Sequence, residues 1–167
     1  SVEFLSSVLD WADVVIEELP TLGGMAAEEF AALVADHAGT TTVVSVRPYA
    51  EGSPLEGQPL DDLSAQALGA LMSLTGSPDR EPLALYGGQT HYIVGVFAAT
   101  AALLGLNSRA EDRCRHFLVT AQEAIVHSLE TAVQYYTTEG VVRTRKGAAQ
   151  QAGDGSYRAG DGRVVLG

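Results

Sequence analysis

Cysteine is nearly absent: Cys114 stands alone among 167 residues. One thiol excludes an internal disulfide and a cysteine-rich zinc site, and it fits a reducing, cytoplasmic compartment. Basic residues are also scarce. Ten Lys and Arg face 21 Asp and Glu, for a formal net charge of −11. Nucleic-acid binding needs basic groups that displace counterions from phosphate, so no nucleic-acid partner is expected. The opening "SVEFLSSVLDWADVVIEE" has no basic n-region and does not read as a secretory leader. The longest apolar run, residues 92–106, falls short of the roughly 20 residues of a membrane span, so no membrane partner is expected either. No G-x-G-x-x-G follows a strand-like segment and no P-loop occurs, which argues against the dinucleotide and nucleoside-triphosphate sites built on those loops. His37, His116 and His127 lack ligand spacing, so no metal site is expected.

Apolar residues make up 46% of the chain, enough to fold one domain with a sizeable core. Phe4, Leu5, Val8 and Leu9 fall on one helical face. "DVVIEE" (residues 13–18) suits a short buried strand, and "TTVVSVRPY" a second, rich in β-branched residues. Between them "GMAAEEFAALVADHAG" predicts a helix with Phe30, Leu33 and Val34 inward and Gly39 as its stop. After a Gly- and Pro-marked loop, "DDLSAQALGALMSLTG" predicts one helix, capped by Asp61 or Asp62 and stopped at Gly76. "SPDREPLALYGG" reads as loop with a short strand. Thr90 is placed to cap a helix from His91 to about Leu104. "HFLV" suits a strand, and "AQEAIVHSLETAVQYYTTEG" a single amphipathic helix ending at Gly140. The Gly-rich tail holds a hairpin turning at "GDG". Strands alternating with helices predict an α/β fold, a Rossmann-like parallel sheet with flanking helices. The chain opens without Met and closes on strand-like "GRVVLG", and reads as a piece of a longer protein.

Several stretches resemble the class III CoA-transferase family, the group of formyl-CoA transferase, carnitine CoA-transferase and alpha-methylacyl-CoA racemase. "WADVVIEEL" resembles the family's "ADVVIENF" strand. "SVRPYAEGSP" followed by "DDLSAQALGALMSLTG" resembles its strand-loop and its "YDL.AQA..GLMSLTG" helix, with Asp62, Leu63, Gln66, Met72, Thr75 and Gly76 in register. "GGQTHYIVGVFAATAALLG" resembles its "AD..AG..AA.GILAAL" helix, and "GDGSYRAGDGRVVLG" the opening of its smaller domain. The resemblance implies part of the family's large domain over residues 1–142, then linker and the start of the smaller domain over 143–167. It implies an acyl-CoA thioester as substrate, no covalently bound cofactor, and a homodimer or a heterodimer with a family member. It also implies CoA contacts near Glu17, Glu18, Tyr49 and Ala50.

The departures from the pattern bear on chemistry. The family's nucleophilic aspartate lies four residues before the first glycine of the long helix, and that count from Gly95 reaches His91. Glu18 and Leu19 stand where the family has Asn and an aromatic, and no Arg-Pro-Gly follows. Asp61 stands where transferases have an aromatic and the racemase branch has its histidine. The transfer cycle that the resemblance implies passes, at its second step, through CoA held as a thioester on the nucleophilic aspartate. Imidazole accepts an acyl group but has no carbonyl to carry that thioester. Proton transfer at the carbon next to a thioester needs only two flanking acid–base groups, which His91 and Asp61 would supply as an exchanged pair. A helix N-terminus disfavours imidazolium and keeps a histidine there ready to act as a base. The plainer readings stand beside these: Asp61 as a helix cap, His91 as a polar residue heading a helix, Glu17 and Glu18 as a solvent-facing strand end, Cys114 as a buried filler, and residues 143–146, "RTRK", as a solvated turn.

Overall fold

The computed structural model describes residues 2–18, 21–22, 25–37, 41–108, 115–129, 131–145 and 155–166. Helix α1 (Val2–Trp11) leads into strand β1 (Val14–Glu17), and two short strands, β2 (Thr21–Leu22) and β3 (Met25–Ala26), pair antiparallel before helix α2 (Ala27–Asp36). Strand β4 (Thr42–Arg47) follows, then helices α3 (Asp62–Leu68) and α4 (Leu71–Leu74) and the long α5 (Gln89–Asn107). Strand β5 (Arg115–Thr120), helices α6 (Ala121–Ser128) and α7 (Ala132–Glu139), and the hairpin of β6 (Gly155–Ala159) and β7 (Gly162–Leu166) complete the chain. Strands β1, β4 and β5 form a parallel sheet with β4 in the middle, Ile16 opposite Val44 and Val44 opposite Phe117.

The central strand shows why the sheet forms here. Successive residues of a strand point to opposite faces, so the run "TVVSVR" must find apolar cover on both sides. Val43 packs with Leu5 and Leu9 of α1 and Phe30 and Val34 of α2. Val44 and Val46 pack with Ala98, Ala101 and Ala102 of α5. Each fully buried valine contributes roughly 1.5–3 kcal/mol. Small residues at 98, 101, 102 and 105 line the buried stripe of α5 and bring that helix close to the sheet. A Cβ built at Gly105 would lie 2.2 Å from Cγ2 of Thr42. By length and composition alone α5 would suffice to cross a membrane. Its buried stripe lies on β4, while Tyr92, Val96, Leu103 and Leu104 on its other sides are exposed.

Several local expectations are corrected. Phe4 is 65% exposed, and Leu5 and Leu9 carry the buried face of α1. The helix expected over residues 61–76 is two helices, because Ala70 takes a left-handed φ of 64° between them. Ile125 presses on Gly69 at that break, where an added Cβ would meet its Cγ2 at 2.4 Å. The helix expected over residues 121–140 is likewise divided into α6 and α7, though it does end on a left-handed Gly140. No strand forms in residues 77–88, and the small β2–β3 hairpin was not foreseen. Arg145 is not a solvated side chain. Its guanidinium donates to the carbonyls of Ser73, Ser77 and Arg80, which fastens the segment after α7 to the end of α4. Gly39, Cys114 and Lys146 lie outside the described residues.

Candidate functional site

A cleft of about 430 Å³ opens at the carboxyl ends of β1 and β4, the side of an open parallel sheet where ligands ordinarily bind. Glu17 and Glu18 border it from the end of β1, Arg47 from the end of β4, Asp61 from the start of α3, and Thr90 and His91 from the start of α5. Val94, Gly95 and Ala98 form an apolar wall along α5. Four of the six residues singled out from the sequence therefore share one cleft. Tyr49 and Ala50 do not line it: Tyr49 is buried at 5% exposure, and the Ala50 carbonyl accepts the Ser53 N–H at 3.1 Å in a turn. A second cavity, about 490 Å³, is lined by Phe97, Leu118, Glu123 and His127 among others, and holds none of the six.

Glu17 does not face solvent as a strand end would. It is 6% exposed, and Arg47 grips it with two parallel hydrogen bonds, Nη2 to Oε1 at 2.7 Å and Nη1 to Oε2 at 2.9 Å. The same Nη1 donates to the Val46 carbonyl at 2.8 Å. Planar two-point pairing of this kind is the strong form of a carboxylate–guanidinium contact. Glu18, one residue on, is exposed. Nearby on the sheet, Ser45 Oγ and His116 Nε2 share a hydrogen bond at 2.7 Å. Desolvation pushes the His116 imidazole below the ordinary histidine value, with Glu17 opposing the shift.

Asp61 caps α3. Its backbone is extended, and its carboxylate accepts the Ser64 N–H at 2.7 Å. That backbone hydrogen bond holds the carboxyl below the usual aspartate value, so it is ionised at neutral pH. Asp62 carries the helix to its neighbour. Its Oδ1 accepts both the N–H of Thr90, at 3.1 Å, and the Thr90 hydroxyl, at 2.5 Å. The Thr90 hydroxyl is the main reason the Asp62 carboxyl also lies below the usual value.

This arrangement corrects the expected cap. Helix α5 starts at Gln89, with Gly88 in the cap position at φ 66° and Thr90 inside the first turn. Asp62 supplies the capping oxygen from another helix. Gly87 and Gly88 both take positive φ, a turn that side chains resist. A Cβ on Gly88 would also come within 3.3 Å of the His91 ring. His91 is thus set in the first turn, its N–H bonded to the Gly88 carbonyl at 3.1 Å. Arg47 and Asp62 were given no place in the site by the sequence alone. The available signals were an arginine ending an otherwise apolar strand and a second acid beside Asp61 with Gln66 four residues on.

Three comparisons bear on this geometry. The family model for CoA-transferase family III matches residues 1–167. A succinyl-CoA:mesaconate CoA-transferase of Haloarcula hispanica is 29% identical over 174 residues, covering 98% of this chain and 43% of its own. The BbsE subunit of the succinyl-CoA:(R)-benzylsuccinate CoA-transferase of Thauera aromatica is 27% identical over 124 residues, covering 73% of this chain and 30% of its own. The chain thus spans less than half the length of the curated relatives it matches. Among solved structures, a CAIB/BAIF family protein from Brucella suis superposes with a TM-score of 0.77 at 24% identity, over 99% of this chain and 44% of its own. A hypothetical protein from Mycobacterium tuberculosis gives 0.71 at 17%, again over 99% of this chain and 44% of its own. These two establish the likeness of fold. The match of the family model across the whole chain establishes more: this chain belongs to CoA-transferase family III.

Proposed function

We propose that the protein binds acyl-CoA thioesters at the cleft beside β1 and β4, and that His91 and Asp61 exchange the proton on the carbon next to the thioester carbonyl. One observation carries this reading: the two groups come from the starts of different helices and line the same cleft. His91 holds the position that the family resemblance gives to the nucleophilic aspartate. An imidazole there cannot take CoA as a thioester, but it can move protons.

The balance of the step is simple. Asp61, ionised by its cap hydrogen bond, takes the α-proton, and the electron pair moves into the thioester carbonyl as an enolate. His91, protonated for this direction although the helix start favours its neutral form, delivers its proton to the opposite side of the carbon. The products, protonated Asp61 and neutral His91, are the starting form for the reverse direction. No covalent intermediate and no cofactor enter.

The test is incubation with a panel of acyl-CoAs in D2O. Deuterium should enter the α-carbon, and mass spectrometry should find no CoA on residue 91. His91→Ala and Asp61→Asn should each slow the exchange by about 10²–10⁴-fold, the usual range for a positioned acid or base. The pH profile has a stated sign. A base held below its usual value is present above that value and is lost only as pH falls through it. Loss of ionised Asp61 should therefore set in below the ordinary aspartate value of about 3.9. CoA linked to residue 91, or exchange unchanged in both variants, would overturn the proposal.

A second reading has one observation behind it. One relative is named as a subunit, so the chain would serve as a non-catalytic copy in a heterodimer whose partner keeps the carboxylate. Recovery of activity only on adding a second family copy would favour it.

A further inference from the structure

Asp62 has no part in the proton exchange, yet it ties the two halves of the site together. It adjoins Asp61 in the chain, and its Oδ1 holds both the N–H and the hydroxyl of Thr90, the residue before His91. Its other oxygen, Oδ2, accepts Nε2 of Gln66 at 2.8 Å. Gln66 is fully buried, and the backbone of Leu85 holds its amide at both ends. The Leu85 N–H donates to Oε1 at 2.7 Å, and Nε2 donates to the Leu85 carbonyl at 3.0 Å. That double contact fixes which end of the amide is the donor, so Gln66 must present N–H to residue 62. Thr90 presents donors to the other side of the same group. Residue 62 therefore needs an acceptor on both sides. A carboxylate has one on each side, whereas the asparagine carboxamide has one oxygen and one donor.

We infer that Asp62 is a positioning residue that sets the separation of Asp61 and His91 by tying the start of α3 to the start of α5; the inference rests on the proton-exchange reading. A misplacement of about 1 Å at a reacting pair costs on the order of 100-fold in rate, so a loosened tether should be visible in turnover.

The experiment compares Asp62→Asn, Thr90→Val and Thr90→Ser in the full chain. Thr90→Val deletes one hydroxyl at nearly constant volume, and it carries the test if Asp62→Asn does not fold. Amide hydrogen exchange over residues 89–92 should quicken about tenfold or more in Asp62→Asn and Thr90→Val, the factor for one lost charge-assisted hydrogen bond. Thr90→Ser should keep wild-type protection. The kcat for α-proton exchange should fall about tenfold or more in the first two variants, with KM for the acyl-CoA within about twofold, and Thr90→Ser should retain it. Unchanged amide protection removes the tether, whether or not the wild type is active. Lost protection with kcat within about twofold of an active wild type removes the positioning role. A wild type with no α-proton exchange, whose variants still lose protection, overturns the proton-exchange reading and with it the role assigned to Asp62, while leaving the tether as a fact of the fold.

Discussion

Arg47→Met should cost about 3–5 kcal/mol of folding stability, the range for removing one partner of a buried ion pair. Glu17 is buried at the end of β1, and Arg47 meets it with two hydrogen bonds of 2.9 Å or less. Taking away the guanidinium leaves a carboxylate that has lost this counter-charge and has little access to water. The cost comes from that desolvated charge more than from the attraction lost. A matched apolar pair, Glu17→Leu with Arg47→Met, should therefore recover most of the stability, since such replacements are often neutral or favourable. Urea unfolding of the two single variants and the double variant closes the cycle. A cost below about 1 kcal/mol for Arg47→Met would mark the pair as no better than a surface contact.

The same pair shows where sequence reading stops. The strands were legible because "VVIE" and "TVVSVR" are dense in β-branched residues between turn signals, and the parallel order follows from the helices between them. Glu17 was misread because its partner lies 30 positions away. Nothing within a local window distinguishes a buried glutamate from one at a solvated strand end. The cap of α5 failed for a similar reason. Thr90 is a good capping residue by type, but the oxygen that meets the helix start belongs to Asp62 on another helix.

The two broken helices were illegible for a different reason. Residues 62–74 are helix formers on balance, with Gly69 the one weak point, yet Ile125 crowds Gly69 and Ala70 turns left-handed. Packing overrides propensity at such a point. Of the candidate site, His91, Asp61, Glu17 and Glu18 come together because each sits at the end of a strand or the start of a helix, and those ends converge on one side of the sheet. Tyr49 and Ala50 follow β4 in the chain, but the turn beyond Pro48 carries them out of the cleft.

Gly105→Ala should destabilise the fold by about 1–3 kcal/mol, the usual cost of overpacking a tight core. Two effects oppose each other here. Alanine is about 1 kcal/mol better than glycine inside a helix, which favours the substitution. Against it stands the approach of α5 to the sheet: a Cβ at this position would lie 2.2, 2.5 and 2.9 Å from Cγ2, Oγ1 and Cβ of Thr42. Relaxed carbon–carbon contacts are about 3.5–4.0 Å, so the helix or the strand must move. Thr42 is fully buried on the central strand, held between β1 and β5, and has little freedom to yield. The clash should win. The diagnostic is the background. The Thr42 hydroxyl has no hydrogen-bond partner among the described residues, so Thr42→Ala removes the two nearest obstructing atoms, Cγ2 and Oγ1, breaks no hydrogen bond there, and leaves only Cβ at 2.9 Å. In that background the methyl of Gly105→Ala meets only the Cβ of residue 42, a contact that a shift of under about 1 Å relieves, and the helix-propensity gain offsets much of what remains. The substitution should cost markedly less there and come close to neutral, a coupling of about 1–3 kcal/mol between contacting residues. Thermal and urea unfolding of the four proteins would measure it. Additive costs, agreeing within about 0.5 kcal/mol, would show that α5 does not rest on Thr42.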